Sequence, residues 1–227
     1  MRYHEEIMKK SIEYLLSLPI SIWTCFKLLP FIQAIKIPIC VRYGSKIKVS
    51  GGKVIIGGKV RTAMIRIGFH KVPVCNSRDK TQIIVEYGQL LFQGTAHLGQ
   101  GTKIYVSKGA ELVLGDNFAI SASSQINCYH KIRMGNDIQF SWECLVMDSD
   151  THTIYTVSGD VANPNREIII DNNVWIGCRT TILKGSHIPE GCVVGACSLV
   201  TGSNFKHHTI LIGAPAKSAK EIGKWEL

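Results

Sequence analysis

Residues 170–205 read IDNNVW IGCRTT ILKGSH IPEGCV VGACSL VTGSNF, six hexapeptides that each open on an aliphatic residue. The opening positions are Ile170, Ile176, Ile182, Ile188, Val194 and Val200. Four residues after each stand Val174, Thr180, Ser186, Cys192, Ser198 and Asn204, which are mostly small. A helix repeats every 3.6 residues and a half-buried strand every two, so neither gives a period of six. A triangular solenoid does. Each flat side takes one hexapeptide, the aliphatic residue fills the interior, and the residue four later needs little room. Three sides make a coil of roughly 18 residues, and coils stack at the strand spacing of about 4.8 Å.

The same register runs earlier through Leu114, Ile120 and Ile126, slips by two, and resumes at Met134, Phe140 and Val146. Short β-branched runs ending in Gly, Asn or Asp begin near Lys46, as in Lys53-Val54-Ile55-Ile56-Gly57 and Leu114-Gly115-Asp116-Asn117. Each reads as a strand that ends in a corner. Two stretches break the pattern: Phe69 to Thr81, with His70, Pro73 and Asp79, and Met147 to Arg166, with Asp148, Asp150 and His152. Loops pushed out of a rigid scaffold are favoured places for function.

The first forty residues follow a different period. Ile7, Met8, Ile12, Leu15, Leu16 and Leu18 recur at helical spacing, and Pro19 is expected to stop or bend that helix. The uncharged run from Tyr14 to Phe26 is shorter than the roughly 20 residues needed to span a bilayer. Packing against the domain or a neighbouring subunit is the favoured reading. Peripheral membrane contact through residues 12–36 is the second, with Trp23 and Lys27 at headgroup level.

Composition narrows the class. Hydrophobic residues make up 45% and charged residues 19%, which is globular rather than disordered. The net charge of +9 suits an anionic partner, but no basic run is interleaved with aromatics in the manner of a nucleic-acid surface. Nucleic acid is therefore not expected. The eight cysteines form no Cys-x-x-Cys pair, and the start of the chain has no secretory pattern. Free thiols in a reducing cytoplasm and no metal site are the expectation.

The segment Ile170-Asp171-Asn172-Asn173-Val174-Trp175-Ile176-Gly177, with the following repeats and Ile212-Gly213-Ala214-Pro215-Ala216-Lys217, resembles the hexapeptide-repeat acyltransferases. It is most similar to the maltose and galactoside O-acetyltransferases and those of capsule and lipopolysaccharide synthesis. The resemblance covers roughly Gly44 to Ile222. It implies an all-β left-handed parallel β-helix with an N-terminal helical segment and a loop insertion that carries a catalytic histidine. The corresponding boundaries are 1–43 for the helical segment, 44–212 for the β-helix with its loop 148–167, and 213–227 for a C-terminal tail. Handedness comes from the resemblance alone, since right-handed crossovers are the general rule.

By position, His152 matches the catalytic histidine of the similar enzymes. An acyl transfer to a hydroxyl needs a base, and imidazole suits that role near neutral pH. Asp150 or Asp148 is expected to orient the ring, as a carboxylate does in a triad. The resemblance further implies acetyl-CoA as co-substrate, bound between subunits of a homotrimer. Trp175 would border the thiol arm and Cys178 would offer backbone contacts near the thioester. Ala196 and Thr201 would line the pantetheine path, and Lys217 and Lys220 would face the phosphates. Gly202 departs from the pattern, because relatives often have lysine there; one phosphate contact would then be missing or supplied by Lys206.

His97, His130 and His187 read as structural or surface residues, and neither Ser121 nor Asn127 is assigned to the acceptor. The function implied is acetyl-CoA-dependent O-acetylation of a sugar hydroxyl in surface-polysaccharide assembly, in the cytoplasm or at the inner face of the membrane. N-acetylation of an amino-sugar nucleotide is the alternative within enzymes. A non-catalytic β-helix that binds or scaffolds is the alternative of another class.

Overall fold

The computed structural model describes residues 2–76 and 78–226, with the side chains of the first helix described from Ser11 onward. The helical face expected over Ile7 and Met8 lies outside the described side chains. Helix α1 (Arg2–Leu28) does not end at Pro19 but runs through it, and a single turn, α2 (Phe31–Ala34), follows. From there the chain winds as a left-handed parallel β-helix.

Successive strands visit three sheets in turn, so each strand up to Thr181–Leu183 pairs with the strand three places later in the chain. The first sheet starts at Ile39–Val41, the second at Lys46–Ser50 and the third at Lys53–Ile56. The solenoid thus begins before the boundary expected at residue 44, since Ile39–Val41 pairs in parallel with Ile65–Ile67. It also ends differently from the expected tail. Thr209–Gly213 adds a last parallel strand, and Ala216–Glu221 folds back on it as an antiparallel edge.

The six-residue period has the physical cause inferred from it. Ile170, Ile176, Ile182, Ile188, Val194 and Val200 are at most 1% exposed, and they stack on their counterparts in neighbouring coils. The small residues four later are buried too, except Asn204. Their hydroxyls are satisfied by the next coil: Thr180 Oγ1 donates to Gly195 O at 3.2 Å and Ser186 Oγ to Val200 O at 3.0 Å. Small volume and a reachable carbonyl together explain Ser and Thr at these positions.

The corner between the third and first sheets explains the Gly-Asp-Asn and Gly-Asn-Asp signatures. Asp116 Oδ1 accepts from Thr95 N at 2.6 Å, Asn136 Oδ1 from Asp116 N at 2.7 Å, and Asn172 Oδ1 from Asn136 N at 2.8 Å. The ladder climbs coil by coil. Glycine precedes it because the coils nearly touch: a Cβ on Gly115 would lie 2.3 Å from Gly135 O. Asn117, Asp137 and Asn173 then take left-handed φ of 54° to 57°, which Asn and Asp tolerate best among residues with a side chain. Both expected interruptions are present. Residues 68–81 leave between the first and second sheets, and residues 148–167 between the second and third.

Candidate active site

The larger loop begins at Asp148, which is fully buried. Its carboxylate accepts from Tyr129 N at 2.7 Å and His130 N at 2.9 Å, with the Cys128 thiol 3.6 Å away. Tyr129 and His130 are the residues at which the hexapeptide register slips by two. The slip leaves their N–H groups turned from the strand ladder, and Asp148 caps both. Burial first, then the Asp148 charge, pushes the Cys128 thiol far up, so it stays protonated. Asp148 is thereby spent on the scaffold and does not orient His152, a correction to its expected role.

Asp150 is exposed, and its Oδ2 accepts from Lys184 Nζ at 2.5 Å and from Asn163 Nδ2 at 2.8 Å. The Lys184 hydrogen bond, then that of Asn163, holds its carboxyl below the usual range. Its side chain therefore braces the loop instead of the imidazole. Asn163 is the staple. Its Nδ2 also donates to His152 O at 2.9 Å, its Oδ1 accepts from Ile154 N at 2.6 Å, and its own carbonyl accepts from Lys184 at 2.8 Å.

His152 stands exposed over a cleft of about 380 Å³ whose lining includes Tyr129, Ser149, Thr151, Val161 and Pro164. Its Nδ1 lies 3.2 Å from Thr151 Oγ1 and 3.4 Å from the Asp150 carbonyl oxygen. Thr151 Oγ1 donates to that same carbonyl at 2.6 Å, so its lone pairs face the ring. Both neighbours of Nδ1 are acceptors, which favours a proton on Nδ1 and leaves the Nε2 lone pair free. Thr151 has φ of 61°, an uncommon left-handed conformation for a β-branched residue. The ring is thus oriented by a strained backbone corner in place of the expected carboxylate.

The remaining site residues lie elsewhere on the triangle. Trp175 points outward from the first sheet, where its Nε1 donates to Ser141 Oγ at 3.3 Å. The Trp225 ring is 6.2 Å away, fixed by Nε1 donating to Asn173 O at 2.9 Å. Lys217 and Lys220 are exposed on the antiparallel edge strand of that sheet, and neither has an ion pair among the described residues. Cys178 and Ala196 stack at the corner between the first and second sheets, with Cys197 N donating to Cys178 O at 2.9 Å. Thr201, also exposed, follows Leu199–Val200 to the same kind of corner as the His152 loop, further along the solenoid. One chain therefore brings Trp175, Lys217 and Lys220 to one sheet, while His152 leaves the corner between the other two.

Sequence reasoning missed Asn163, Lys184 and Trp225. Asn163 and Lys184 meet only because the loop folds back over the next coil, so neither carries a local signal. Trp225 had one, as an aromatic beyond the last coil.

The outer face of the first sheet adds a second cleft of about 390 Å³, lined by His70, His97, Ser121 and Gln139 among others. Gln139 is in register with Trp175 one coil on. Burial first, then the nearby Arg66 and His70, lowers the His97 pKa, so its imidazole is neutral near pH 7.

Comparisons with known proteins agree with this architecture. No family profile matches the chain. A provisionally named acetyltransferase of Mycobacterium tuberculosis is 30% identical over 141 residues, covering 60% of this chain and 45% of that protein. The matched stretch is thus less than half of the mycobacterial relative. WbbJ of Escherichia coli, provisionally named a lipopolysaccharide biosynthesis O-acetyl transferase, is 26% identical over 153 residues, covering 61% of this chain and 77% of the relative. The chain is thus similar in sequence to acetyltransferases over about three fifths of its length. The solved structure of the polySia-specific acetyltransferase NeuO shares the fold. It aligns with a TM-score of 0.56 at 22% identity, over 84% of this chain and 89% of that one.

Asn163 gives a direct test of the loop geometry. Asn163→Ala removes the hold on His152 O, Ile154 N and Asp150 together. Activity per molecule is expected to fall about tenfold, because small misplacements of a catalytic group are costly. The unfolding midpoint should stay within about 2 °C, since the lost bonds are exposed. Parallel steady-state kinetics and thermal melts check both.

Proposed function

We propose that the protein is an acyltransferase that moves the acetyl group of acetyl-CoA to a sugar hydroxyl during surface-polysaccharide assembly. The observation that carries this reading is the His152 ring, which lines a cleft and has its Nδ1 beside the Thr151 hydroxyl and the Asp150 carbonyl. Nε2 takes the proton of the acceptor hydroxyl as its oxygen attacks the thioester carbonyl. A tetrahedral oxyanion forms and collapses, the carbon–sulfur bond breaks, and the departing thiolate recovers the proton from the imidazolium. Backbone amides that face the reacting carbon stabilise the oxyanion.

The thioester half of the site would use Trp175 and Cys178 beside the thiol arm, Ala196 and Thr201 along pantetheine, and Lys217 and Lys220 on the phosphates. The exposed charge of both lysines, without an ion pair among the described residues, supports that assignment. His152 and Trp175 sit on different sides of one triangle, so a neighbouring copy would join them. This supports a homotrimer with three shared sites. The exposed arm with Ile154, Tyr155, Val157 and Val161 supports the same assembly, because its apolar surface lacks cover in one chain. For the acceptor, neutral His97 with His70, Ser121 and Gln139 offers donors and acceptors suited to sugar hydroxyls. The name of the Escherichia coli relative supports a lipopolysaccharide-type acceptor.

The deciding experiment follows thiol release from acetyl-CoA against oligosaccharides and sugar nucleotides. Release with a neutral saccharide, and an alkali-labile ester in the product, is expected. Release only with amino sugars would overturn O-acetylation. No release and no acetyl-CoA binding by calorimetry would overturn the enzyme reading in favour of a scaffold.

A further inference from the structure

Helix α1 turns its small polar residues inward and its large apolar residues outward. Ser17, Ser21, Thr24 and Cys25 are buried against the first coil. Ser21 Oγ accepts from Val41 N at 2.9 Å, Ser17 Oγ accepts from Tyr43 N at 3.0 Å, and Cys25 Sγ donates to Ile39 O at 3.4 Å. The strand Ile39–Val41 has no coil beneath it, so these side chains supply partners that a sheet edge lacks. The consequence is on the other face. Leu15 is 66% exposed and Trp23 55%, with Ile22 and Phe26 also exposed, and in the following turn α2 Phe31 is 69% and Ile32 74% exposed. A helix whose only surroundings were protein and water would show the reverse pattern.

Charge says what covers this face. Residues 14–78 contain eleven Lys and Arg and no Asp or Glu, whereas residues 79–227 hold twelve basic against fourteen acidic residues. The positive excess of the whole chain therefore belongs to α1, α2 and the first coils. Lys27, Lys36, Lys46, Lys53 and Lys59 are exposed there, and none has an ion pair among the described residues. Lys27 also sits 4.4 Å above the Trp23 ring. A cleft of about 430 Å³ opens at the same end, with Leu28, Pro30, Val54 and Ile56 in its wall beside Lys27 and Lys53. No described helix is long and apolar enough to cross a membrane.

We propose that the first-coil end of the solenoid docks on an anionic lipid bilayer, with α1 lying in the plane of the interface. The apolar face enters the acyl boundary and the lysines meet lipid phosphates. A second copy of the chain would not call for exposed lysines, without ion pairs among the described residues, at the same end as the apolar face. A nucleic acid would not call for exposed Leu, Trp and Phe. The docking stands independently of the acyl transfer, and either can fail alone.

The test is sedimentation of the full chain with vesicles of phosphatidylcholine alone and of equimolar phosphatidylcholine and phosphatidylglycerol. Light scattering of the free protein accompanies it. Binding to the anionic vesicles should be at least about tenfold stronger than to the neutral ones. Trp23→Ser with Phe26→Ser should abolish binding without moving the unfolding midpoint or the oligomer mass, since both rings are exposed. Lys27→Gln with Lys53→Gln should weaken anionic binding roughly ten- to thirtyfold and leave neutral binding unchanged. Three outcomes overturn the proposal: equal binding to both vesicles, wild-type binding by the Trp23/Phe26 variant, or no vesicle binding with a change in oligomer mass in that variant. The last would assign the face to a second copy.

Discussion

His152→Ala is expected to lower turnover by about 10²- to 10⁴-fold, the range typical for losing a positioned general base. The unfolding midpoint should stay within about 2 °C, because the ring is exposed and its hydrogen bonds join adjacent residues. Acetyl-CoA binding by calorimetry should survive, since Trp175, Lys217 and Lys220 belong to a different side of the solenoid. Kinetics, melting and calorimetry together make the prediction sharp. Near-normal turnover would remove His152 from the mechanism. Lost binding together with lost turnover would instead mean that the loop shapes the thioester site.

The size of the loss also separates two acceptors. A hydroxyl holds its proton far above neutral pH, so its oxygen is a poor nucleophile until a base begins to remove that proton. A free amine of low pKa already has its lone pair and needs less help. A loss nearer tenfold than a thousandfold would favour an amino-sugar acceptor.

Much of the solenoid was legible because its period is enforced at every coil. Ile170 to Val200 each fill the same interior position, so one local rule is written six times in succession. The ends lacked that redundancy. Ile39–Val41 is a single short strand, recognisable only through its pairing with Ile65–Ile67. Pro19 is a strong stop signal locally, yet α1 continues because Ser17 and Ser21 anchor it on either side of the proline to the coil edge. The candidate site divides the same way. His152 could be found from its place in an interruption. The roles of Asp148 and Asp150 could not, because sequence proximity says nothing about which way a carboxylate points. Asp148 turns inward to residues 128–130, and Asp150 turns to Lys184 and Asn163, contacts made only by folding.

That inward turn makes Asp148→Ala the opposite experiment to His152→Ala. The alanine variant leaves Tyr129 N and His130 N without their acceptor, in a part-buried corner. An unsatisfied donor costs about 1–3 kcal/mol, so a total of about 2–4 kcal/mol is expected for a pair only partly buried. The midpoint should fall by roughly 5–15 °C for a chain of this length. Asp148→Asn keeps one acceptor oxygen and should lose about half as much. Measured well below the lowered midpoint, turnover per folded molecule should stay within about twofold of wild type, because the His152 ring is held by Thr151 and the Asp150 carbonyl. A carboxylate that oriented the base would give the reverse result, a kept midpoint with a large loss of turnover. That result would restore Asp148 to the catalytic machinery and would mean that the corner at Tyr129 and His130 tolerates open N–H groups.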